Sequence, residues 1–281
     1  MSCVPTNATE PPADPATSSR YTHGHEKAVL ASHGARTARD SAGYLLPFLE
    51  PGMRLLDVGF GPGTITLDLA EAVAPGEVIG VENTSAPIDV ARANAEARGD
   101  ARTRFELGDV MSLPFDDDSF DVVHAHQVLQ HLTDPVGALT EMARVCRPGG
   151  YVAARDADYA AMSWYPDLPE IEQWRGLYRT IAKGNGAEPD AGRHLRSWAA
   201  SAGLTDVTIT SSNWCYATPE ACQRWGESQS QRVAGEAFTT QAATHGATED
   251  DLTAMARAWS AWGAHPDAMF LIPNVEILAR V

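Results

Sequence analysis

The chain has 281 residues, of which 44% are apolar, and 37 acidic against 21 basic side chains give it a formal net charge of −16. A chain of this length buries a substantial core, as one large domain or as a domain with a smaller additional unit. The strong negative charge argues against nucleic acid or an anionic membrane surface as a partner, because both would repel it.

Cysteine usage and the N-terminus predict an intracellular protein. The 4 cysteines form no C-x-x-C pair, which argues against a zinc knuckle or a disulfide scaffold and fits a reducing cytoplasm. Residues 1–20 are rich in Pro, Ala, Thr and Ser without an apolar core, so we expect a disordered tail and not a signal peptide. No run of about 18 apolar residues is available to span a bilayer.

The first two thirds of the chain predict a helical segment followed by alternating strands and helices. Apolar residues at helical spacing predict a helix from Tyr21 to Leu49, which Pro51-Gly52 ends. Short apolar runs then alternate with helical patterns, which indicates a parallel sheet with right-handed crossovers. The predicted strands are Arg54–Val58, Glu77–Glu82, Thr103–Leu107, Phe120–Ala125 and Tyr151–Arg155, and the helices between them Thr64–Ala74, Ala86–Arg98 and Pro135–Cys146.

After Asp156 the alternation stops and aromatic residues become frequent. Helices are predicted at Leu195–Ala202, Pro219–Gly235 and Thr248–Trp262, and strands at Asp206–Tyr216 and Ala268–Val281. The predicted organisation is therefore a tail (1–20), an N-terminal helical lid (21–50), a ligand-binding core (51–156), and cap helices with the closing strands of the same sheet (157–281).

A glycine-rich turn follows the first predicted strand and indicates a ligand site. Leu55 to Gly63 read L-L-D-V-G-F-G-P-G, and Thr64 opens an amphipathic helix. Glycines let the backbone turn sharply and let a ligand lie directly on it, and a helix start offers free N–H groups. The spacing is one residue short of the G-x-G-x-x-G dinucleotide fingerprint, and no lysine is present for a phosphate-binding P-loop.

This turn resembles motif I of the class I S-adenosylmethionine (SAM)-dependent methyltransferases. The string Leu113–Asp121 (L-P-F-D-D-D-S-F-D) resembles the ubiquinone/menaquinone-biosynthesis-type branch, and the resemblance covers residues 21–150 well. It implies an α/β fold with a Rossmann-like, doubly wound, seven-stranded sheet whose last strand is antiparallel. An N-terminal helical lid and C-terminal helical cap insertions would complete it, and the cofactor would be SAM, with S-adenosylhomocysteine (SAH) as its product.

The resemblance also assigns residues to the cofactor. Asp57 would help bind the methionine part, and Asp109 would accept a hydrogen bond from the adenine amino group. Glu82 ends the second strand and suits the two ribose hydroxyls, since a carboxylate accepts several hydrogen bonds. The role of Asn83 stays open, because it departs from the usual residue there. The full predicted set is Tyr21, Asp57, Gly59, Gly61, Gly63, Glu82, Asn83, Gly108, Asp109, Val110, His126 and Gln127.

Methyl transfer from SAM requires little of the protein beyond alignment of the reactants and exclusion of water. Only a hydroxyl acceptor needs a base, and the predicted catalytic candidates are His23, His25 and His126. Substrate contacts are predicted for His33, Trp164, Tyr165 and Trp214, and His131 is expected to be a packed or helix-surface residue. No metal is predicted, because the His-x-His pair lacks further ligands at a suitable spacing.

The leading hypothesis is a methyltransferase acting at an O or N atom, less favourably C, of a small aromatic or polycyclic natural product. Alanine and arginine dominate over lysine, as in GC-rich bacteria with large secondary and antibiotic metabolism. An enzyme that uses the SAM sulfonium as a fixed charge for cyclisation or decarboxylation is the alternative. A nicotinamide oxidoreductase and a non-catalytic interaction protein are disfavoured by the glycine spacing and the intact acids. We expect a monomer or homodimer with a small molecule as partner.

Overall fold

The structure, a computed structural model, describes residues 36–281. Within this range the chain forms one mixed eight-stranded sheet flanked by helices. Its strands are β1 (Leu55–Val58), β2 (Val78–Glu82), β3 (Arg104–Leu107), β4 (Phe120–His126), β5 (Cys146–Ala157), β6 (Ser163–Tyr165), β7 (Asp206–Tyr216) and β8 (Met269–Arg280).

The sheet has the topology that the sequence predicts. β3, β2, β1, β4 and β5 lie side by side and are parallel, and β8 follows β5 as an antiparallel strand. β7 pairs with the full length of β8, so it occupies the free edge of β8 opposite β5. The Rossmann-like fold with an antiparallel last strand is thus confirmed. The eighth strand is the three-residue β6, which continues the β5 edge along β8.

Nine α-helices lie within residues 36–281. They are α1 (Ala38–Ser41), α2 (Thr64–Ala72), α3 (Ala86–Arg98), α4 (Pro135–Val145), α5 (Pro169–Gly184), α6 (Leu195–Ser201), α7 (Pro219–Ala234), α8 (Glu236–Thr244) and α9 (Glu249–Gly263). Six of them lie at or within two residues of the predicted bounds. α5 and α8 are additional helices, absent from the sequence prediction.

The predicted helix from Tyr21 to Leu49 is wrong over its described part. Residues 38–49 form only α1 and a 3₁₀ turn at Leu46–Phe48. Thr37 caps α1 by accepting a hydrogen bond from the backbone N–H of Asp40, and the chain leaves the helix again at Ala42. Pro47 lies within the 3₁₀ turn and has no N–H for an α-helical hydrogen bond. Residues 1–35, with the predicted tail and most of the lid, lie outside the described range.

Both faces of the sheet are buried at its central strands β1, β2 and β4, as a doubly wound fold requires. Leu56 and its neighbours on one face pack against α4 and α6, while Leu55 and its neighbours on the other pack against α2 and the segment around Leu45. Alternate residues of β1 therefore enter different cores, which explains its continuous apolar run. No helix within residues 36–281 is long and apolar enough to cross a bilayer.

The cap has an aromatic core of its own, which α5, α7, α8 and α9 form over the first residues of β8. Trp259 and Trp262 are fully buried and contact Phe270 of β8, with ring centroids 5.4 and 5.7 Å away. Gly226 of α7 and Gly263 of α9 allow these helices to approach each other closely. The cap is therefore fixed to the sheet by packing, which gives the cavity beneath it rigid walls.

Two glycine substitutions test this packing. A Cβ at Gly226 would lie 2.6 Å from the carbonyl oxygen of Trp259, so Gly226→Ala should lower the free energy of unfolding by about 1–3 kcal/mol. A Cβ at Gly176 of α5 would meet no atom within 4 Å, so Gly176→Ala should raise it by about 0.5–1 kcal/mol. Urea unfolding followed by circular dichroism measures both, and equal effects would contradict the packing described.

Candidate active site

A cavity of about 940 Å³ opens where the parallel strands end. This volume is at the upper end of the range for ligand pockets, about 300–1,000 Å³. One part, here called the strand end, is lined by Gly59, Gly61, Glu82, Asp109 and Gln127, which follow or end β1 to β4. The other part, the aromatic end, is lined by Tyr159, Trp174, Trp214 and Trp225. In open α/β sheets ligands bind beyond the carboxyl ends of the strands, so the position is the expected one.

The three glycines of the turn after β1 have different surroundings. All have positive φ angles, which are 70° at Gly59, 52° at Gly61 and 76° at Gly63. A Cβ on Gly59 would lie 2.3 Å from Cγ2 of Val128, and one on Gly63 would lie 2.8 Å from Cβ of Ala91. A Cβ on Gly61 would meet no atom within 4 Å and would point into open space. Gly59 and Gly61 line the cavity, whereas Gly63 packs against α3 and is not among its lining residues.

Asp57 is buried behind the glycine turn, where both of its carboxylate oxygens have partners. Oδ2 accepts a hydrogen bond of 2.6 Å from the hydroxyl of Thr66, and Oδ1 lies 2.7 Å from Nδ1 of His124. These bonds connect the end of β1 to α2 and to β4. Although Asp57 lines the cavity, the residue is only 2% exposed, so it positions the turn more directly than it contacts a ligand.

Glu82 connects the end of β2 to the same turn. Its Oε1 accepts a hydrogen bond of 2.9 Å from the N–H of Gly61, and its Oε2 lies 3.3 Å from the N–H of Asn83. Burial raises the pKa of Glu82 above its usual value, while these two N–H groups act in the opposite direction. Each carboxylate oxygen can accept a second hydrogen bond, so Glu82 can hold the turn and still bind a ligand.

The turn after β3 brings further predicted residues to the strand end. Gly108, Asp109 and Val110 all line the cavity, together with Asn83. Asp109 is exposed, and its Oδ1 accepts a hydrogen bond of 2.9 Å from the N–H of Met111. This bond fixes the carboxylate in a short turn through one oxygen, and a carboxylate can accept further hydrogen bonds.

His126 and Gln127 stand at the end of β4, between the two parts of the cavity. Gln127 has a φ of 54°, one of two positive values among non-glycine residues 36–281, and its N–H donates to the carbonyl of Arg155. Such a backbone is strained and is typical of functional sites. His126 is buried and packs edge-on against Trp214, with centroids 5.5 Å apart. Both predicted residues line the cavity.

Trp214 of β7 contacts residues of α1, β4 and β5. Its Nε1 donates a 3.3 Å hydrogen bond to the carbonyl oxygen of Asp40 in α1. The guanidinium groups of Arg36 and Arg155 lie 4.5 and 4.8 Å from its ring centroid. Arg155 is itself buried and pairs with Glu276 across β5 and β8 at 3.3 Å. Trp214 is therefore held in place and forms a fixed wall of the cavity.

Several lining residues are not among those predicted. His131 lines the cavity, and burial, with Arg36 and Arg232 adding to it, lowers its pKa to about 3. Arg36, Gln229 and Arg232 line it as well. The helical spacing of Trp225, Gln229 and Arg232 in the sequence placed them on one face of α7, but only the packing of α7 shows that this face meets the cavity.

Two predicted substrate residues lie outside this cavity. Trp164 stacks on Phe270 in the core of the cap, with centroids 5.6 Å apart, and Arg175 covers its ring. Tyr165 is 54% exposed, and its carbonyl oxygen accepts a hydrogen bond from Trp262. Trp164 faces the core of the cap, whereas Tyr165, the next residue of β6, lies on the opposite, exposed face of the strand. The predicted residues Tyr21, His23, His25 and His33 lie outside the described part of the chain.

Comparison with known proteins identifies the family. A family model described as a methyltransferase domain matches residues 49–215. The chain belongs to this methyltransferase family. An uncharacterised methyltransferase of Schizosaccharomyces pombe is 39% identical over 215 residues, covering 73% of this chain and 76% of that protein. A methyltransferase-named protein of Aspergillus luteorubrus is 27% identical and covers 92% of this chain and 96% of its own length.

Solved structures support the fold of this methyltransferase chain. The YcgJ protein of Bacillus has a TM-score of 0.56 at 23% identity, covering 85% of this chain and 97% of that one. Phosphoethanolamine N-methyltransferase 2 of Haemonchus contortus, solved with SAM, has a TM-score of 0.52 at 18% identity over 83% of this chain and 49% of that one. The [4+2]-cyclase SpnF has a TM-score of 0.51 at 21% identity, covering 89% of this chain and 80% of that one. At these identities the likenesses show the fold alone.

Proposed function

We propose that this chain is a SAM-dependent methyltransferase of small molecules. The observation that carries the proposal is the pairing of Gly61 with Glu82. The position where Gly61 would carry a side chain is open space in the cavity, and the N–H of Gly61 donates a hydrogen bond to the Glu82 carboxylate. A ligand can therefore lie on bare backbone beside a carboxylate at the ends of parallel strands.

The residues at the strand end fit the parts of SAM. The second lone pairs of the Glu82 oxygens suit two ribose hydroxyls, and Asp109 suits the adenine amino group. The turn from Gly59 to Gly61 would take the methionine part, since a side chain at Gly61 would fill that space. Asp57 and Gly63 would keep the turn in shape without direct contact.

Bound SAM supplies a methyl group on a positively charged sulfur. In the transfer, a lone pair of the acceptor atom forms the bond to the methyl carbon while the carbon–sulfur bond breaks and its electron pair stays on sulfur. The acceptor's proton, where it has one, leaves to a base or to water. The chain contributes alignment and exclusion of water, which the enclosed aromatic end favours.

His126 is the described histidine best placed to act as a base, because it lines the cavity at the end of β4 and packs against Trp214 of the aromatic end. His131 also lines the cavity, but a pKa of about 3 makes it a poor base near neutral pH. His23 and His25 stay predictions. For a hydroxyl acceptor we propose His126 as the base, and for an amine no base is needed.

The aromatic walls favour a planar aromatic or polycyclic substrate. We propose that it is a diffusible natural product of secondary metabolism. We propose further that the methyl group is transferred to an O or N atom of this product and that the reaction takes place in the cytoplasm. Four aromatic side chains from the cap and β7 face the same space. Flat rings bury large areas and stack at low entropic cost, so they suit flat ligands. Antibiotic biosynthesis and a monomeric or homodimeric state belong to the same proposal.

A second candidate is a SAM-binding enzyme that does not transfer methyl, such as a cyclase. This second candidate is supported by the likeness in fold to the [4+2]-cyclase SpnF, which at 21% identity concerns the fold alone. The two candidates differ in one product, because only methyl transfer forms SAH. Turnover of methyl-labelled SAM with substrate extracts, read by mass spectrometry, separates them.

Binding measurements with a Gly61 variant test the cofactor site. We expect the wild-type protein to bind SAM and SAH, and Gly61→Ala to weaken both at least about tenfold, because its methyl group takes ligand space. Gly99→Ala is the matched control, since Gly99 also has a positive φ, of 67°, and open space, but lies at the end of α3 away from the cavity. Calorimetry decides, and binding of NADH instead of SAM would contradict the proposal.

The pH dependence of SAM affinity tests Glu82. Ribose hydroxyls donate to the ionised carboxylate, and burial raises the pKa of Glu82. Affinity should therefore be full at high pH and fall as the pH falls through this raised pKa, above the ordinary glutamate value of about 4.3. Glu82→Gln should weaken binding by about 1–3 kcal/mol at pH 8 and abolish this pH dependence. An unchanged pH profile in the variant would show that Glu82 does not contact the ligand.

A further inference from the structure

Two of the arginines within residues 36–281 line the cavity, and both belong to its aromatic half. Arg36 lies over Trp214, at 4.5 Å from the ring centroid, and Arg232 stands on α7. On that helix Trp225, Gln229 and Arg232 follow at intervals of four and three residues, so they share one face. That face presents a flat ring, a buried amide and a guanidinium to the same space.

Charges in the cavity are separated by sign. Among the described residues that line it, the carboxylates are Asp57, Glu82 and Asp109, all of them at β1 to β3. No described aspartate or glutamate lines the aromatic end. The strand end thus suits hydroxyl and amino donors, and the aromatic end suits an acceptor or an anion.

The positive field reaches other groups at the aromatic end. Arg36 and Arg232 add to the burial that lowers the pKa of His131, and both also act on Tyr159. Both arginines therefore lie near enough to act on two other residues that line the cavity, His131 and Tyr159. This local field opposes the overall charge of the chain, −16, which would repel an anion from most of the surface.

The walls around Arg232 are rigid and flat. Tyr159 stacks on Tyr178 with centroids 4.6 Å apart, and Trp225 stacks on Tyr216 at 4.4 Å. A planar ligand can lie against these rings while a guanidinium binds an oxygen pair at its edge, the geometry in which arginine binds carboxylates best.

We infer that the substrate is a planar aromatic molecule that carries an anionic oxygen group, a carboxylate or a phenolate, and that Arg232 binds this group beside Gln229. The inference rests on the proposed function and narrows its substrate class. It makes Arg232 a specificity-determining residue, which recognises the substrate and takes no part in binding the cofactor.

Calorimetry with matched probes tests the inference, with and without SAH. The wild-type protein should bind 2-naphthoate about tenfold or more tightly than the uncharged 2-naphthamide of the same shape. Arg232→Gln should remove this preference, and Arg232→Lys should keep part of it. Arg224→Gln is the matched control, because Arg224 is exposed on the same helix and does not line the cavity. A nitronaphthol measured below and above its own pKa shows whether a phenolate takes the place of the carboxylate.

Each outcome decides the matter. Equal binding of anionic and neutral probes by the wild-type protein, no binding by any of them, or a preference that survives Arg232→Gln would overturn the inference. A loss of SAH affinity in Arg232→Gln as large as the loss for 2-naphthoate would also overturn it, since the arginine would then serve the cofactor. Failure of SAH to bind the wild-type protein contradicts the proposed function alone, because the probe series without SAH still decides the substrate class.

Discussion

Two carboxylates determine the path of the backbone from β1 into α2, and the rest of the site depends on this path. Asp57 connects the end of β1 to Thr66 and His124, and Glu82 holds the N–H of Gly61 from the neighbouring strand. Buried carboxylates are costly unless they are hydrogen-bonded, so the turn and the acids stabilise each other. The result is a stretch of bare backbone at Gly61 that faces the cavity beside a carboxylate.

The cap supplies what the sheet lacks. Parallel strands end in short polar turns, whereas the aromatic residues of α5, α7 and β7 form rigid apolar walls held by Trp259 and Phe270. Acids stand at one end of the cavity and arginines at the other. A ligand that spans both ends must offer hydrogen-bond donors at one and a flat, electron-rich group at the other. Under the proposed function, this separation would place the cofactor and the substrate in different halves of one space.

Much of this arrangement could be predicted from the sequence, because local signals and tertiary structure agree in the core. Ala86–Arg98 is a helix and Asp206–Tyr216 a strand as predicted, and Glu82 and Asp109 line one cavity. The prediction of one helix from Tyr21 to Leu49 is wrong because Thr37 caps the start of a separate short helix and Pro47 cannot continue an α-helix. α5 was missed although Ile171, Trp174, Tyr178 and Ile181 recur at helical spacing. Arg232 carried no local signal, since only the packing of α7 brings it to the cavity.

The most direct test of this account is a crystal structure of the protein with SAH. The account predicts the ribose hydroxyls within hydrogen-bonding distance, about 2.5–3.0 Å, of the Glu82 carboxylate. It also predicts the homocysteine part over Gly61, with the sulfur directed toward the aromatic end. SAH bound elsewhere, or with its ribose away from Glu82, would contradict the account.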